Sequence, residues 1–456
     1  MFITLAIVAW FVAAVAAMLR PKWGAMLIWP AVWLYPNSAL YGTLPLNIRF
    51  DDLWLVFMFV LAILYAGGRG GTSTLFWLAV AWAFSMILGN FAGFFISGGF
   101  AWQQIVKSAL KTLYVPMTAY VISVFVQTEK DLVDYMKAMG LAAAAAGVLG
   151  IAMVYFPTAL SMFLIPGARV IGFQVVTALE MVEAGEIVAR RAQGAVGTTS
   201  LAVISLSAAL LALCMMLNQP RGKGRTYFGL IAGVCLVALG YTATRGAIGG
   251  LIGALLWGMI FTRRRWTLVA VSLIGLGLLV FQSELWERVV LRVAGGPGAG
   301  LAPFWQGLLN RLKIWEMFVQ NFSPVYLFTG MGMTTVFRLA KGTAHNSYLG
   351  AFVYGGIFGV ALMAAMIARA WTLWRRLRPH VDPLSGALSA YLGMFIVAML
   401  VFGMVAELFQ QATAVQLMFA AMVFVERRLA QVQAAPEAAL PEGLLPADAL
   451  AGAAGA

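Results

Sequence analysis

Residues 198–217 read TTSLAVISLSAALLALCMML, a run of 20 residues without a charge. A helix needs about 20 predominantly apolar residues to cross the hydrocarbon core of a bilayer, so this run has the length and composition of a transmembrane span. The rest of the 456-residue chain has the same character, since 62% of its residues are hydrophobic and 10% are charged. A soluble domain has about 45–50% apolar and about 25% charged residues, so the composition indicates a membrane protein.

Similar apolar runs recur along the chain and predict an all-α polytopic integral membrane protein with about 12–13 transmembrane helices. The runs are continuous, without the alternation that is typical of a membrane β-barrel. The first run has no basic region before it, so we interpret it as a retained span and not as a cleaved signal peptide. The predicted spans are 2–19, 24–41, 53–66, 75–97, 108–126, 138–156, 198–217, 226–243, 246–262, 267–282, 346–368, 385–403 and 408–425.

Basic residues cluster in three short loops, which predicts the orientation because basic loops face the cytoplasm. This distribution also accounts for the net charge of +13 without a nucleic-acid partner. The three clusters are Arg221, Lys223 and Arg225; Arg263, Arg264 and Arg265; and Arg375, Arg376 and Arg378. The chain then divides into N-terminal spans (1–156), a periplasmic segment (157–197), central spans (198–282), a large periplasmic loop (283–345), C-terminal spans (346–426) and a flexible cytoplasmic tail (427–456).

Two of the predicted periplasmic segments contain amphipathic patterns. In the large loop, residues 283–293 (SELWERVVLRV) and 304–320 (FWQGLLNRLKIWEMFVQ) predict short helices at the membrane surface, where Trp, Phe and Arg are favourable. In the earlier segment, residues 178–194 (ALEMVEAGEIVARRAQG) place Glu180, Glu183 and Glu186 on one face of a predicted helix. We expect both segments to wall a cavity above the bilayer.

Four polar residues from distant parts of the sequence fall on this same face: Arg191, Arg245, Arg311 and His345. Arg245 lies in a tight turn between two spans, where a guanidinium is costly without an anion to meet. The simpler interpretation of each arginine is an anchor whose side chain reaches out of the bilayer. His345 has the simpler interpretation of a helix cap, whereas the second histidine, His380, lies in a basic cytoplasmic loop.

Several chemistries have no motif in this sequence. It contains no Walker loop, HExxH, CxxC or Gx[ST]xG motif, so it offers no site typical of an ATPase, zinc protease, thiol oxidoreductase or serine hydrolase. No Asp-x-Asp pair is present to hold a metal-bound sugar nucleotide, and Cys214 and Cys235 both lie in apolar runs. We therefore expect no metal and no cofactor.

The stretch AHNSYLGAFVYGGIFG resembles the histidine motif of the O-antigen ligase and polymerase superfamily, with His345 and Asn346 followed after nine residues by Gly356 and Gly359. Further stretches resemble the same superfamily in the same order along the chain. They are RRAQGAVGTTSLAVI around Arg191, GYTATRGAIGGLIGALL around Arg245, and NRLKIWEMFVQNFSPVYLFTGMGMTTV, with an Arg-x-x-x-Trp helix at Arg311 and a Gly-x-Gly turn. The likeness covers roughly residues 190 to 425.

The resemblance implies a GT-C-like glycosyltransferase, an all-helical bundle whose large periplasmic loop covers a central cavity. It implies a bacterial inner-membrane enzyme with its active site facing the periplasm. The donor would be a glycan linked to undecaprenyl pyrophosphate, and in the ligases the acceptor is a sugar hydroxyl of lipid A-core, which completes lipopolysaccharide. The polymerases instead use a second lipid-linked repeat unit as acceptor.

The residue types fit such a reaction. Arginine forks suit a diphosphate better than lysine does, so Arg191, Arg245 and Arg311 are predicted to bind the donor pyrophosphate. The acceptor hydroxyl needs a base, and the imidazole of His345 has a suitable pKa, which predicts metal-independent transfer with inversion at the anomeric carbon. Asn346 and Glu407 are expected to support it, with Glu407 orienting the imidazole.

Two other functions stay open from the sequence. An O-antigen polymerase or a protein O-oligosaccharyltransferase would use the same donor and the same residues. A transporter of lipid or polysaccharide would use the arginines to select an anionic lipid and the histidine to relay protons. Transporters commonly show matching halves with interrupted spans, whereas the candidate residues here lie on one face.

Overall fold

The computed structural model describes residues 2–34, 50–67, 73–97, 102–156, 179–183, 186–191, 198–220, 222–261, 302–333, 335–336, 345–380 and 382–438. These residues form a helical bundle with one short β-hairpin. The helices are α1 (Phe2–Leu19), α2 (Pro21–Met26), α3 (Ile28–Trp33), α4 (Phe50–Ala66), α5 (Thr74–Ser97), α6 (Trp102–Phe125), α7 (Glu129–Tyr155), α8 (Thr198–Asn218), α9 (Lys223–Thr242), α10 (Arg245–Phe261), α11 (Ala302–Gln320), α12 (Tyr326–Thr329), α13 (Ser347–Leu377), α14 (Pro383–Gly403) and α15 (Ala412–Ala438). A 3-10 turn at Leu408–Gln410 lies between α14 and α15.

Seven of the described helices are long and apolar enough to cross a membrane, which confirms the multi-spanning helical class. They are α5, α6, α7, α8, α9, α13 and α14, and three shorter apolar helices lie in α1, α4 and α10. The predicted span 267–282 lies outside the described residues, as do the amphipathic segment 283–293 and the basic cluster 263–265.

The predicted span 24–41 is wrong in its first part, because the chain is not one continuous helix there. Helix α2 ends at Met26, a turn follows at Leu27, and α3 begins at Ile28. Pro30 has no backbone N–H, so it cannot donate to the Met26 carbonyl, and the helix is interrupted at this turn. Residues 35–41 lie outside the described residues.

The helix predicted around Glu180, Glu183 and Glu186 is also wrong, since these residues lie on a hairpin. Strand β1 (Leu179–Glu183) pairs antiparallel with β2 (Glu186–Arg191), and the register places Glu180 opposite Arg190. The β-branched Val and Ile residues in this stretch favour strands. The three-residue spacing of the glutamates is therefore not the spacing of a helical face.

The core is built around α8, whose side chains are buried almost throughout, and around residues 414–425 of α15, which are all buried. Helix α8 packs against α9, α7 and α14, while α15 packs against α6 and α14. Large apolar side chains on the outer helices face away from the bundle, among them Phe11, Leu64, Phe84, Leu230 and Ile260. An apolar exterior over a packed interior is the arrangement expected of a bundle that is surrounded by lipid.

One end of the bundle is rich in basic residues, and we call it the basic end, defined by Arg378, Asp382 and Arg428. The Arg378 guanidinium lies 5.4 Å from the ring centre of Phe261, so α10 ends beside the end of α13. The end of α8 reaches the same place, because the Asn218 side chain packs against Gly386 near the start of α14. Lys223 and Arg225 of the first cluster therefore lie at the same end as the cluster at 375–378, as the predicted orientation requires.

Two of the basic clusters were predicted to lie in loops, and in part they lie in helices. Arg375 and Arg376 occupy the last turn of α13, and Lys223 and Arg225 lie in the first turns of α9. Helix α13 is interrupted at Gly356, and the part after it, residues 357–377, is roughly 31 Å long at 1.5 Å per residue, about the thickness of a hydrocarbon core, with more than two turns of helix before the break. Its last turns can carry charge outside the core, and cations there also complement the helix dipole.

The predicted flexible tail begins too early, because α15 continues to Ala438. Arg428 holds the end of this helix through the carboxylates of Glu129 and Asp382, each at 2.6 Å, and through the Ser385 hydroxyl at 3.0 Å. Burial would raise the pKa of Asp382, but hydrogen bonds from Ser385 and Arg428 outweigh it and lower that pKa. Contacts with distant residues thus hold the helix in place at the predicted boundary, and the helix continues past it.

Candidate functional site

His345 lies at the start of α13, at the end of the bundle opposite the basic end. Asn346 caps this helix, and its side-chain oxygen accepts from the backbone N–H groups of Tyr348 and Leu349, both at 2.9 Å. His345 precedes the cap with a left-handed backbone (φ 52°), a conformation that side-chain-bearing residues rarely adopt. The residue is exposed to solvent at this end of the bundle.

The buried carboxylate of Glu407 holds this turn in place. One oxygen of Glu407 accepts from the backbone N–H of His345 at 3.0 Å and from the Tyr354 hydroxyl at 2.6 Å. Glu407 is 4% exposed, and Tyr354 is fully buried. The sequence predicted that Glu407 lies near the histidine. The structure shows that the Glu407 carboxylate binds the main chain of His345, which fixes the backbone position from which the imidazole extends.

A short connection between α14 and α15, residues 404–410, forms the floor beneath His345. The Ser347 hydroxyl donates to the Ala406 carbonyl and accepts from the Leu408 N–H, both at 2.7 Å. The Gln410 side chain donates to the Ser347 carbonyl at 2.9 Å. Asn346 also donates to the Met404 carbonyl at 3.1 Å. With the bond from the His345 N–H to Glu407, five polar contacts join the start of α13 to this connection.

The predicted Arg245 turn borders the same connection. Helix α9 ends at Thr242, the residue that follows it, Ala243, has a left-handed conformation, and Arg245 is the first residue of α10. The next residue, Gly246, packs so closely on Phe402 and Val405 that a Cβ atom would collide with both side chains. Arg245 and His345 therefore flank one segment of chain, although 100 positions separate them in the sequence.

Arg311 is close enough to influence the histidine electrostatically. It lies half-buried on α11, the helix that was predicted for residues 304–320. Burial of the imidazole and the positive charge of Arg311 both lower the pKa of His345 below its ordinary value of 6.5. His345 is therefore predominantly neutral at pH 7, the form in which a ring nitrogen accepts a proton.

The third predicted arginine, Arg191, is the last residue of β2, and its side chain lies outside what the structure describes. Its proximity to His345 stays a prediction. Much of the two predicted periplasmic segments, 157–178 and 192–197 in the first and 283–301 and 337–344 in the second, is likewise outside the described residues. The structure thus brings Arg245, Arg311, Asn346 and Glu407 to the region of His345 and leaves Arg191 undecided.

The glycines of the motif have a structural role, which is a kink in α13. Gly356 has φ 60° and ψ −153°, which no helix contains, so the chain bends there. The Gly-x-Gly turn packs into the bend: the Met331 N–H donates to the Val353 carbonyl at 2.7 Å, and a Cβ on Gly330 would collide with the backbone of Tyr354. The kink sets the direction of the first two turns of α13, and therefore the position of Tyr354 beneath Glu407.

Sequence reasoning missed Tyr354, Ser347 and Gln410. A tyrosine in the middle of an apolar run was the available signal, because a buried phenol hydroxyl needs a hydrogen-bond partner. Nothing in the sequence points to its partner, which lies 53 residues away on another connection. Ser347 and Gln410 carry no comparable signal, since both residue types are common at helix ends.

No protein-family model matches the chain, and no curated protein matches it significantly. The chemistry available at the site follows from its residues. A neutral imidazole accessible to solvent can accept a proton, and the nearby cations can stabilise an anionic ligand. In the described part of the chain, no three His, Cys, Asp or Glu side chains come together to hold a metal ion.

Proposed function

We propose that this protein is a glycosyltransferase that moves O-antigen glycan from undecaprenyl pyrophosphate to a sugar hydroxyl of lipid A-core. The observation that carries the proposal is the surroundings of His345. Its imidazole is accessible, its pKa is lowered by burial and by Arg311, and its backbone is held by Glu407. The substrates in this proposal come from the motif resemblance. A fixed position and a pKa below the working pH are what a general base requires.

The proposed reaction balances with the residues at hand. His345 accepts the proton of the acceptor hydroxyl, and the oxygen attacks the anomeric carbon opposite the pyrophosphate. The bond from that carbon to the pyrophosphate oxygen breaks, the leaving group takes the electron pair, and the configuration at carbon inverts. Arg245 and Arg311, joined by Arg191, stabilise the charge on the departing diphosphate, so it leaves without a proton. No metal is part of this scheme.

The supporting residues act on the position of the base. Glu407 fixes the main chain at His345, and Asn346 caps the helix that follows, so neither residue needs to touch the substrate. A base must lie within hydrogen-bond reach of the hydroxyl that it deprotonates, and a displacement of about 1 Å can cost roughly 100-fold in rate. We expect the bundle to lie in the bacterial inner membrane with the His345 end facing the periplasm.

A transfer assay with purified full-length protein tests the proposal. Lipid-linked glycan is supplied as donor, and lipid A-core, a second lipid-linked repeat and a pilin-like protein are offered separately as acceptors, with a chelator present throughout. The proposal predicts transfer to lipid A-core that survives chelation. Transfer to the second repeat alone would identify a polymerase, transfer to the protein alone a protein glycosyltransferase, and loss on chelation would contradict the metal-independent scheme.

A further inference from the structure

A second site lies at the basic end, far from His345. A cavity of about 400 Å³ lies where the C-terminal ends of three helices, α1, α4 and α6, come together. Cavities of about 300–1,000 Å³ are the size that small ligands occupy. Its lining includes Arg20, Lys22, Trp23, Tyr65, Phe125 and Gln127.

The charges of this cavity favour an anion. Arg20 and Lys22 contribute two positive charges. The carboxylate of Asp131 offsets one of them, because its oxygens lie 2.7 and 2.8 Å from the Lys22 ammonium. These contacts fix the ammonium in position while its side chain stays 49% exposed. Arg427 adds a further cation nearby through its hydrogen bond to Gln127 at 3.2 Å. The balance leaves at least one excess positive charge beside the cavity.

The aromatic residues place the cavity at the level of lipid headgroups. The Arg20 guanidinium lies 5.1 Å from the ring centre of Trp23, a cation–π contact that uses none of its N–H donors. Trp23 and Tyr65 are 57% and 69% exposed. Tryptophan and tyrosine concentrate at the membrane–water interface, where one part of the ring is apolar and the other meets water.

An apolar path for acyl chains runs away from the cavity. Met18 and Leu19 precede Arg20 on α1 and are 55% and 79% exposed, and Leu64 beside Tyr65 on α4 is 73% exposed. A ligand with a phosphate at one end and hydrocarbon at the other matches both parts. Basic pockets between spanning helices are a known way to recognise anionic lipid headgroups.

We propose that this cavity binds the phosphate of an anionic glycerophospholipid, with Arg20 and Lys22 as its ligands and the acyl chains lying along α1 and α4. The site is independent of the glycosyltransferase proposal, because it shares no residue with the His345 region and lies at the opposite end of the bundle. The ligand is a lipid of the membrane itself, phosphatidylglycerol being the probe.

The test uses the full-length protein in phosphatidylcholine nanodiscs, titrated with phosphatidylglycerol and read by native mass spectrometry. Arg20→Gln is expected to weaken phosphatidylglycerol binding about fivefold, since a cation near the membrane surface contributes about 1 kcal/mol to attraction of an anionic lipid. Arg20→Lys keeps the charge and loses the planar fork, so it is expected to weaken binding less. Arg376→Gln is the matched control, because it removes an exposed cation at the same end but outside the cavity.

Three outcomes would overturn the proposal. One is unchanged phosphatidylglycerol binding in Arg20→Gln, and another is an equal loss in Arg20→Gln and Arg376→Gln, which would indicate only general attraction to the basic end. The third is displacement of the bound lipid by millimolar inorganic phosphate, which would make the cavity a site for free phosphate. A loss confined to Arg20→Gln, resistant to inorganic phosphate, supports it.

Discussion

The Glu407 carboxylate accepts the backbone N–H of His345 at 3.0 Å, across 62 positions of sequence. The same oxygen accepts the Tyr354 hydroxyl at 2.6 Å, so the base, the carboxylate and the phenol form one connected unit. Glu407 lies between the last two helices, whereas His345 and Tyr354 lie at the start of α13. The position of the proposed base therefore depends on how these helices pack together.

Changing Glu407 should lower the transfer rate without removing the base itself. Glu407→Ala leaves the Tyr354 hydroxyl and the His345 N–H without their acceptor, at a cost of about 1–3 kcal/mol for a buried unsatisfied group. We expect a lower kcat, a donor KM close to that of the wild type, and a lower Tm. Glu407→Gln keeps an acceptor oxygen, so its kcat and Tm should lie between those of Glu407→Ala and those of the wild type. A wild-type kcat in Glu407→Ala would contradict the positioning role.

Tyr354→Phe separates the two contacts of Glu407. It removes the phenol hydroxyl and leaves the bond from the His345 N–H intact, so the loss in kcat should be smaller than in Glu407→Ala. Steady-state kinetics of the two variants, each with wild-type abundance in the membrane, measure this order. If Tyr354→Phe loses more activity than Glu407→Ala, the carboxylate does not hold the histidine as described.

The pH dependence of transfer should report the electrostatic effect of Arg311. A base must be neutral to act, so the rate rises with pH through the pKa of His345, which burial and Arg311 hold below 6.5. Replacing Arg311 with Gln removes a cation that disfavours the protonated ring, so the acid limb of the rate profile should move to higher pH. Lys313→Gln, an exposed change on the same helix, is the control and should leave the limb in place. An unmoved limb in Arg311→Gln would contradict this account.

Arg245 is expected to act on the transition state. Loss of a group that stabilises developing charge lowers kcat by roughly 100- to 1,000-fold, and Arg245→Ala should fall in this range. Arg245→Lys keeps the charge but loses the planar fork, so it should retain part of the rate. Arg375→Ala, at the basic end, is expected to transfer at the wild-type rate. Full activity in Arg245→Ala, at normal abundance of the protein in the membrane, would show that this arginine has no part in transfer.

The kink in α13 should require glycine at one position. Gly356 has φ 60°, and a Cβ there would collide with the Phe328 carbonyl, so Gly356→Ala is strained by both backbone and packing. Residues forced into such conformations cost about 1–3 kcal/mol, and we expect a lower Tm. Gly233→Ala on α9 is the matched control, because nothing lies within 4 Å of its Cβ position, and alanine in a helix is favoured by about 0.5–1 kcal/mol. Equal Tm changes in the two variants would show that the kink is not constrained.

Much of the helical pattern could be predicted because apolar length alone specifies a span. The run at 198–217 became a helix ending within one residue of the prediction. The cap before α13 is Asn346, one residue after the histidine for which a cap was considered. The failures have different causes. The glutamates at 180–186 lie on a local hairpin, whose strand pairing the spacing of the glutamates does not reveal. Arg428 of α15 binds Glu129 and Asp382 on two other segments, and these contacts depend on how the helices pack.

The sequence likewise indicates some residues of the candidate site but not the contacts between them. His345, Arg245 and Glu407 could be found because polar residues at the ends of apolar runs are conspicuous. Their connection through residues 404–410 was not visible, since it depends on how α10, α13 and α14 pack. The identity of the substrates comes from the resemblance alone.

The measurement that tests the central claim most directly is glycan transfer from undecaprenyl pyrophosphate to lipid A-core by His345→Ala, with chelator present and His380→Ala as the control. The two variants each remove one of the two histidines in the chain, and His380 lies at the basic end, away from the proposed site. The account predicts that His345→Ala transfers no glycan while His380→Ala transfers at the wild-type rate. Wild-type transfer by His345→Ala, at equal abundance in the membrane, would contradict the assignment of His345 as the base.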